Sequence, residues 1–415
     1  VAAYFPAYFP VTATPHPAHP RVLQVITHLD MGGAENVAIS LAEALHPEFN
    51  FSFFAVGGVA DNPVGQEMAR RLERLQVPVH SGTALGFKRG GLAQAGVRLN
   101  RLIWKTRPEI VHLHTEIPET TFAVASVLGL PAGTRIVRTV HNSEIWPAWQ
   151  RVGRLVEPRL RRATAVGVSE ACLDGLWEFQ AAQHLPLTPR DQTRVVYNGV
   201  STPQRAVSRQ NARPADRPIR VLFAGRLEPQ KGVDLLPELL TAASALTTHP
   251  VEVTLLGRGS FEGMLRQWVQ TQTLPWTITL AEPVANLAAH LGNYDLMLVP
   301  SRFEGLCLVA VEALMAGMPV VATRVRGLNE IFPPGYPLLC PSGDVPVLAR
   351  TLAEAIGAYE HYAGVVVAQQ PGIVQRFNLE GMAQGYRRCY LSVLQAGQKQ
   401  QAGQKKQAVQ EGERP

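Results

Sequence analysis

Two glutamates, Glu304 and Glu312, stand in the run Pro300-Ser-Arg-Phe-Glu-Gly-Leu-Cys-Leu-Val-Ala-Val-Glu-Ala-Leu-Met-Ala-Gly-Met-Pro319. The run follows a strand-like stretch and opens a helix. Glu304 would therefore sit on the loop at the strand's carboxyl end, where open α/β sheets bind ligands. Glu312 lies two helical turns further on, near the same azimuth. The backbone N–H groups of Gly305, Leu306, Cys307 and Leu308 would face an anion or hydroxyls from the start of the helix. Carboxylates beside exposed donors suit a polyol that carries a phosphate.

A second loop, Phe223-Ala-Gly-Arg-Leu-Glu-Pro-Gln-Lys-Gly232, places Arg226 and Lys231 between glycines ahead of a helix. Both cations and the helix dipole can converge there on a diphosphate. In Asp30-Met-Gly-Gly-Ala-Glu35, Gly32 and Gly33 allow a tight turn whose N–H groups can approach a phosphate or an acceptor. His112 and His114 flank Leu113 at a strand end, so their side chains share one face. They lack a third ligand at a suitable spacing, so no metal site is expected. His141, in Thr-Val-His-Asn, and its neighbour Asn142 fall on the same carboxyl edge and are acceptor-side candidates. Leu255-Leu-Gly-Arg-Gly-Ser260 is an incomplete dinucleotide fingerprint and assigns Gly257 to the surroundings of a base or ribose. Cys307 has no neighbouring base and reads as a packed small residue.

The segment around Glu304 and Glu312 resembles the E-x7-E signature of retaining GT-B glycosyltransferases, especially glycosyltransferase family 4. The segment with Arg226 and Lys231 resembles that family's G-R-x-x-x-x-K-G. The resemblance runs from about Arg21 to Leu394 and is most specific between Gly225 and Glu330. It implies that Glu304 contacts the donor sugar or its phosphate, that Glu312 takes the ribose hydroxyls, and that Arg226 and Lys231 neutralise the leaving nucleotide. It also implies that Gly32 and Gly33 face the donor phosphate and that His114 orients the transferred sugar. Relatives often carry glycine or another small residue where this chain has Cys307. No D-x-D occurs in the sequence, so cationic side chains would do the work a metal ion does elsewhere, and no cofactor or metal is expected.

These residues need a scaffold that brings strand ends together. From Arg21 on, short apolar, β-branched runs alternate with longer segments of helical period, as in strands joined by crossover helices. Val22 to Thr27, Phe51 to Val56, Ile110 to Leu113, Ile136 to Val140, Ala165 to Val168 and Arg194 to Tyr197 read as parallel strands of one domain. Ala34, Val37, Ala38, Leu41 and Leu45 share a helical face between the first two. Arg220 to Ala224, Val251 to Leu256, Thr277 to Leu280, Leu296 to Val299 and Val320 to Ala322 read as strands of another. The expected fold is α/β with GT-B architecture, two doubly wound Rossmann-like domains facing each other across a cleft. The expected divisions are a disordered extension (1–20), an acceptor-side domain (21–200, with a helix crossing back at 377–394), a linker (201–218), a donor domain (219–376) and a disordered Gln/Lys-rich tail (397–415).

At 415 residues the chain exceeds what one core usually organises, which agrees with two domains. Cys172, Cys307, Cys340 and Cys389 lie far apart, so neither a zinc site nor a disulfide framework is suggested and a cytoplasmic setting fits. No apolar run is long enough to cross a bilayer. The net charge of +6 permits anionic partners without choosing among them. Arg151, Arg154, Arg159, Arg161 and Arg162 form the densest basic patch. With Phe87-Lys-Arg89 they could touch the inner face of an anionic membrane, and nucleic acid is not expected. The activity implied is sugar transfer from a nucleoside-diphosphate sugar to a hydroxyl acceptor, with retention of configuration, in glycan, glycolipid or cell-envelope synthesis. The alternatives are a nucleotide-sugar-binding protein, an epimerase or a phosphorylase on the same fold. A nicotinamide-dependent oxidoreductase, binding its dinucleotide at Leu255 to Gly263, is a second rival.

Overall fold

The computed structural model describes residues 19–30, 32–201, 217–284 and 286–412, with the side chains of Lys88 and of 398–412 left out. Residues 1–18 of the expected extension and 202–216 of the expected linker lie outside the described residues. Two compact units emerge. The first comprises the chain up to His141, residues 145–196 and everything from Glu380; the second comprises 142–144 and 197–379.

The first unit is built on strands β1 (Arg21–Ile26), β2 (Asn50–Ala55), β3 (Val79–Ser81), β4 (Ile110–His114), β5 (Arg135–Val140), β6 (Thr164–Gly167) and β7 (Thr193–Val195). They form one parallel sheet in the order β3-β2-β1-β4-β5-β6-β7. The order reverses between β1 and β4, and the crevice at their carboxyl ends is the topological switch point. Both strands are almost wholly buried, which is why their apolar runs are unbroken rather than alternating. The helix Gly33–Leu45 buries Ala34, Val37, Ala38, Leu41 and Leu45, the face its spacing sets. On one side of the sheet Leu23, Val25, Phe54, Leu99, Phe122 and Trp146 form a continuous core.

The second unit carries β8 (Ile219–Ala224), β9 (Val251–Leu256), β10 (Thr277–Ala281), β11 (Leu296–Val299), β12 (Val320–Arg324) and β13 (Leu339–Pro341). They pair in parallel in the order β10-β9-β8-β11-β12-β13, with the switch point between β8 and β11. Each unit is thus a doubly wound, Rossmann-like sheet.

Three features differ from the sequence reading. Strands β3 and β13, three residues each at the sheet edges, were not anticipated. The last helix, which groups with the first unit, runs from Leu379 to Gly412 rather than ending near Leu394. Its Gln, Lys and Ala residues cannot build a core but are good helix formers, so the expected disordered tail from 397 is drawn out as helix as far as Gly412.

Candidate functional site

In the second unit, the loops after β8 and β11 are stitched together at the switch point. Arg302 pairs with Asp234 at 2.6 Å. The Gln230 side chain donates to Phe303 O at 3.2 Å. Gly232 has φ +65, and a Cβ there would collide with the carbonyl of Pro300, so only glycine allows this approach. Within this frame Lys231 Nζ donates to Glu304 Oε1 at 2.6 Å, and Ser301 Oγ donates to the same oxygen at 2.7 Å. Burial works against the Lys231 charge, but the Glu304 carboxylate more than offsets it, so the ammonium is held above its ordinary pKa. Arg226 is exposed beside them and donates to Gln230 Oε1 at 2.8 Å.

The helix Leu308–Met315 starts at this spot with Cys307 as its N-cap, and no side chain caps it. The N–H groups of Ala310 and Val311 donate back to Cys307 O at 3.1 Å, which leaves those of Leu308 and Val309 for an acceptor from elsewhere. Burial, then the nearby Glu304 charge, push the Cys307 thiol up to about 12, so it is a protonated packing group rather than a nucleophile. Glu312 has no partner among the described residues. Burial lifts its carboxyl to about 7. Such a group gains most from a ligand that brings hydroxyl donors. Gly305, Leu306 and Cys307 are buried and Leu308 is half-buried, so this loop offers a ligand mainly backbone. Gly257 is also buried. A Cβ on it would strike the carbonyl of Gly225, so its visible role is to let the end of β9 pack under the loop that carries Arg226.

The carboxyl edge of the first unit is made differently. His114 is fully buried at the end of β4, under His141. Its Nε2 lies 2.7 Å from Gln24 Oε1, which can only accept, so that nitrogen carries the proton. The His114 Nδ1 then accepts from His141 Nε2 at 3.0 Å. Gln24 Nε2 donates to Tyr390 Oη at 3.1 Å, and that hydroxyl donates to His112 Nδ1 at 2.7 Å. The His112 Nε2 in turn donates to Thr139 Oγ1 at 2.7 Å, which is 2.9 Å from Tyr386 Oη. The row leaves the His141 Nδ1 lone pair as its outer end. Burial, then the neighbouring rings, hold His112 and His114 well below the usual imidazole range, and burial brings His141 down to about 3. All three rings are neutral.

Gly32 and Gly33 lie at the uncapped start of the helix Gly33–Leu45, half-buried and exposed respectively. Asn142, expected with His141 on the acceptor side, groups instead with the second unit, where its side-chain Oδ1 accepts from Gln230 Nε2 at 3.1 Å. Of the residues singled out in the sequence, Gly32, Gly33, Arg226, Lys231 and Glu304 follow strands at the two switch points, Gly257 and His141 follow the neighbouring strands β9 and β5, and His114 lies buried under His141.

Other participants carry no local signal. Ser301 shares the Glu304 oxygen with Lys231. Gly327, at φ +74, lets its loop lie against the carbonyls of Glu304 and Gly305. Thr115 holds φ +72 directly after His114, a costly conformation for a β-branched residue, and its hydroxyl lies 3.0 Å from Thr27 Oγ1. Among the described residues no group of three or more His, Cys, Asp or Glu side chains could hold a metal ion. Among the described residues no helix is long and apolar enough to cross a membrane.

The second unit matches the model of Glycosyl transferases group 1 over residues 218–357, and the first matches that of Glycosyltransferase Family 4 over 31–204. A glycogen synthase of Mycobacterium tuberculosis is 27% identical over 288 residues, 64% of this chain and 64% of that enzyme. A D-inositol 3-phosphate glycosyltransferase of an Arthrobacter species is 28% identical over 250 residues, 54% of this chain and 56% of that one. The chain therefore spans less than two thirds of these relatives' lengths. Among solved structures, Anabaena Alr3699/HepE in complex with UDP-glucose superposes with TM-score 0.72 at 21% identity, covering 90% of this chain and 100% of that one. Sucrose-phosphate synthase from Thermosynechococcus elongatus gives TM-score 0.69 at 19% identity, covering 91% and 100%. At such identities these two structures bear on the fold. With one family model on each unit and this shared fold, the chain belongs to the family 4, group 1 glycosyltransferases of GT-B type.

Proposed function

We propose that this chain transfers a sugar from a nucleoside-diphosphate sugar to a hydroxyl acceptor, with retention of configuration and without a metal ion. The observation that carries the reading is the Lys231–Glu304 pair beside Arg226 and the uncapped start of the helix Leu308–Met315. Lys231, Arg226 and the first-turn N–H groups together offer positive charge where a diphosphate would leave. Glu304 holds the ammonium in place and offers its second oxygen to the donor. Glu312, without a partner, takes the ribose hydroxyls. UDP-glucose is the ligand of the Anabaena structure, which favours a nucleotide-sugar donor here too. Among the described residues no dedicated base for the acceptor stands in the second unit, in keeping with a front-face route in which the leaving phosphate takes the acceptor proton. His141, with an outward lone pair, is proposed to orient the acceptor, and His114 to hold His141. The setting proposed is the cytoplasm, in glycan, glycolipid or cell-envelope synthesis.

The test is turnover of a panel of UDP-, GDP- and ADP-sugars, with the anomeric configuration of the product read by NMR. Lys231→Ala and Glu304→Ala should each lower kcat by about 10²–10³. Near-normal turnover by the folded variants would remove these roles. Donor consumption without a glycosylated product would assign an epimerase or hydrolase instead, and a product of inverted configuration would end the retaining assignment.

A further inference from the structure

Two basic stretches far apart in sequence meet on the first unit. The turn at Phe87 and the start of the helix Gln150–Leu160 together line a surface pocket of about 620 Å³, with Phe87, Leu92, Trp149 and Val152 as apolar wall and Arg151 at its edge. Along the same helix and just past it, Arg151, Arg154, Arg159, Arg161 and Arg162 are all exposed, and no carboxylate pairs with any of them among the described residues. Of the other exposed arginines, Arg21 pairs with Glu109, Arg70 with Glu67, Arg258 with Glu282 and Arg266 with Glu262, whereas Arg101, Arg226, Arg350 and Arg388 stand singly without a carboxylate among the described residues. The helix's own acid, Glu157, is turned inward onto Arg138. Among these cations stands Leu155, 76% exposed, the most exposed large apolar side chain among the described residues.

We infer that this face docks on the surface of an anionic lipid bilayer. The arginines meet the phosphates, Leu155 enters the acyl boundary, and the pocket takes an apolar chain. A cationic helix that also presents a leucine suits an interfacial position. Nucleic acid would satisfy the arginines but leave both Leu155 and the apolar pocket in water. An anionic leaflet satisfies all three. The inference rests on neither the donor loops nor the histidine row, so it can fail while the proposed transfer stands.

The test is co-sedimentation of the full chain with vesicles of phosphatidylcholine alone or mixed with phosphatidylglycerol, at about 50 mM and about 500 mM salt. Binding is expected only to the anionic vesicles and should fall at high salt. The triple variant R154Q/R159Q/R162Q should weaken it about a hundredfold, at roughly fivefold per arginine. L155S should weaken it roughly tenfold at either salt concentration. These side chains are exposed, so unchanged melting temperatures are expected, and L155S gives an independent reading if the triple variant misfolds. Equal binding to both vesicle types overturns the inference, as does anionic binding that neither variant changes by more than twofold. Retention of a single-stranded oligonucleotide without vesicle binding assigns the face to nucleic acid and overturns it as well.

Discussion

The carboxyl edges of the two sheets occupy equivalent places in equivalent folds, yet they are built from opposite materials. In the second unit the edge carries charge that is paired or waiting: Lys231 on Glu304, Arg226 in the open, and a Glu312 carboxyl poised near neutrality. In the first unit the edge is a row of neutral imidazoles, hydroxyls and one amide, with its fixed charges sunk behind it. Arg138 lies between Glu119 and Glu157 at 2.8 and 2.9 Å, all three nearly inaccessible. The second edge can recognise an anion by field. The first can only orient, by the direction of its hydrogen bonds.

The largest effect that would sharpen this contrast comes from the buried charges. Removing Arg138 as Arg138→Ala leaves two carboxyl groups in the core without their cation and should cost about 3–5 kcal/mol in urea unfolding. A loss under about 1 kcal/mol would mean that water reaches the cluster. The two carboxyls are held differently: burial, opposed by Arg138, lifts Glu119 to about 8, while Arg138 and the Trp146 and Gln180 donors overcome burial and hold Glu157 low.

Next is acid sensitivity. Below pH 6.5 the unfolded chain takes up protons on His112, His114 and His141 that the folded chain refuses, so each ring destabilises the fold by about 1.4 kcal/mol per pH unit as pH falls. Glu119 works the other way. Unfolded, it ionises above its ordinary value, while folded it holds its proton to about 8; Glu312, lifted to about 7, behaves alike, so acidification favours the fold at these two sites. Three rings against two carboxyls leave a net loss of roughly 1.4 kcal/mol per pH unit between pH 6.5 and 5. Denaturant midpoints at these two pH values measure it, and a flat profile would mean that the rings accept protons in place.

A smaller change tests the row itself. Tyr390→Phe strips both Gln24 and His112 of a buried partner and should cost about 1–3 kcal/mol. Nitrogen NMR of the His141 ring should then show a mixture of tautomers; a single unchanged tautomer would mean the ring is fixed by something else. Smallest is the pH dependence of nucleotide binding at the second edge. Ribose hydroxyls favour the ionised Glu312, so affinity for UDP should rise with pH up to about 7 and level off above it, changing by at most about tenfold per unit. Calorimetric titration with Glu312→Gln should abolish that slope, and a slope kept by the variant would move the role to another group.

The same contrast explains how much could be read from the sequence. The central strands announce themselves because burial on both faces demands apolar runs, as in Val251–Leu256 or Leu296–Val299. Edge strands of three residues, Val79–Ser81 and Leu339–Pro341, are too short to show any period. The charged edge is legible because its residues come in two local runs, one per loop. The neutral edge is not: Tyr390 meets His112 across 278 positions, and nothing near either residue foretells it. Ser301 and Gly327 matter through contacts that only the folded loops create. The basic patch was visible as composition, but its joining with Phe87 and Leu92 into one pocket was not.

The row from His141 to Tyr386 has one more property. A hydroxyl reverses by rotating and a neutral imidazole by exchanging which nitrogen holds its proton, but Gln24 must turn its whole amide over, because one end only gives and the other only takes. It is the one member of the row whose reversal moves heavy atoms: with the amide as it stands the outer nitrogen of His141 is a lone pair, and with the amide turned over it would be an N–H. The direction in which this edge faces a proton is therefore set by a single buried side chain.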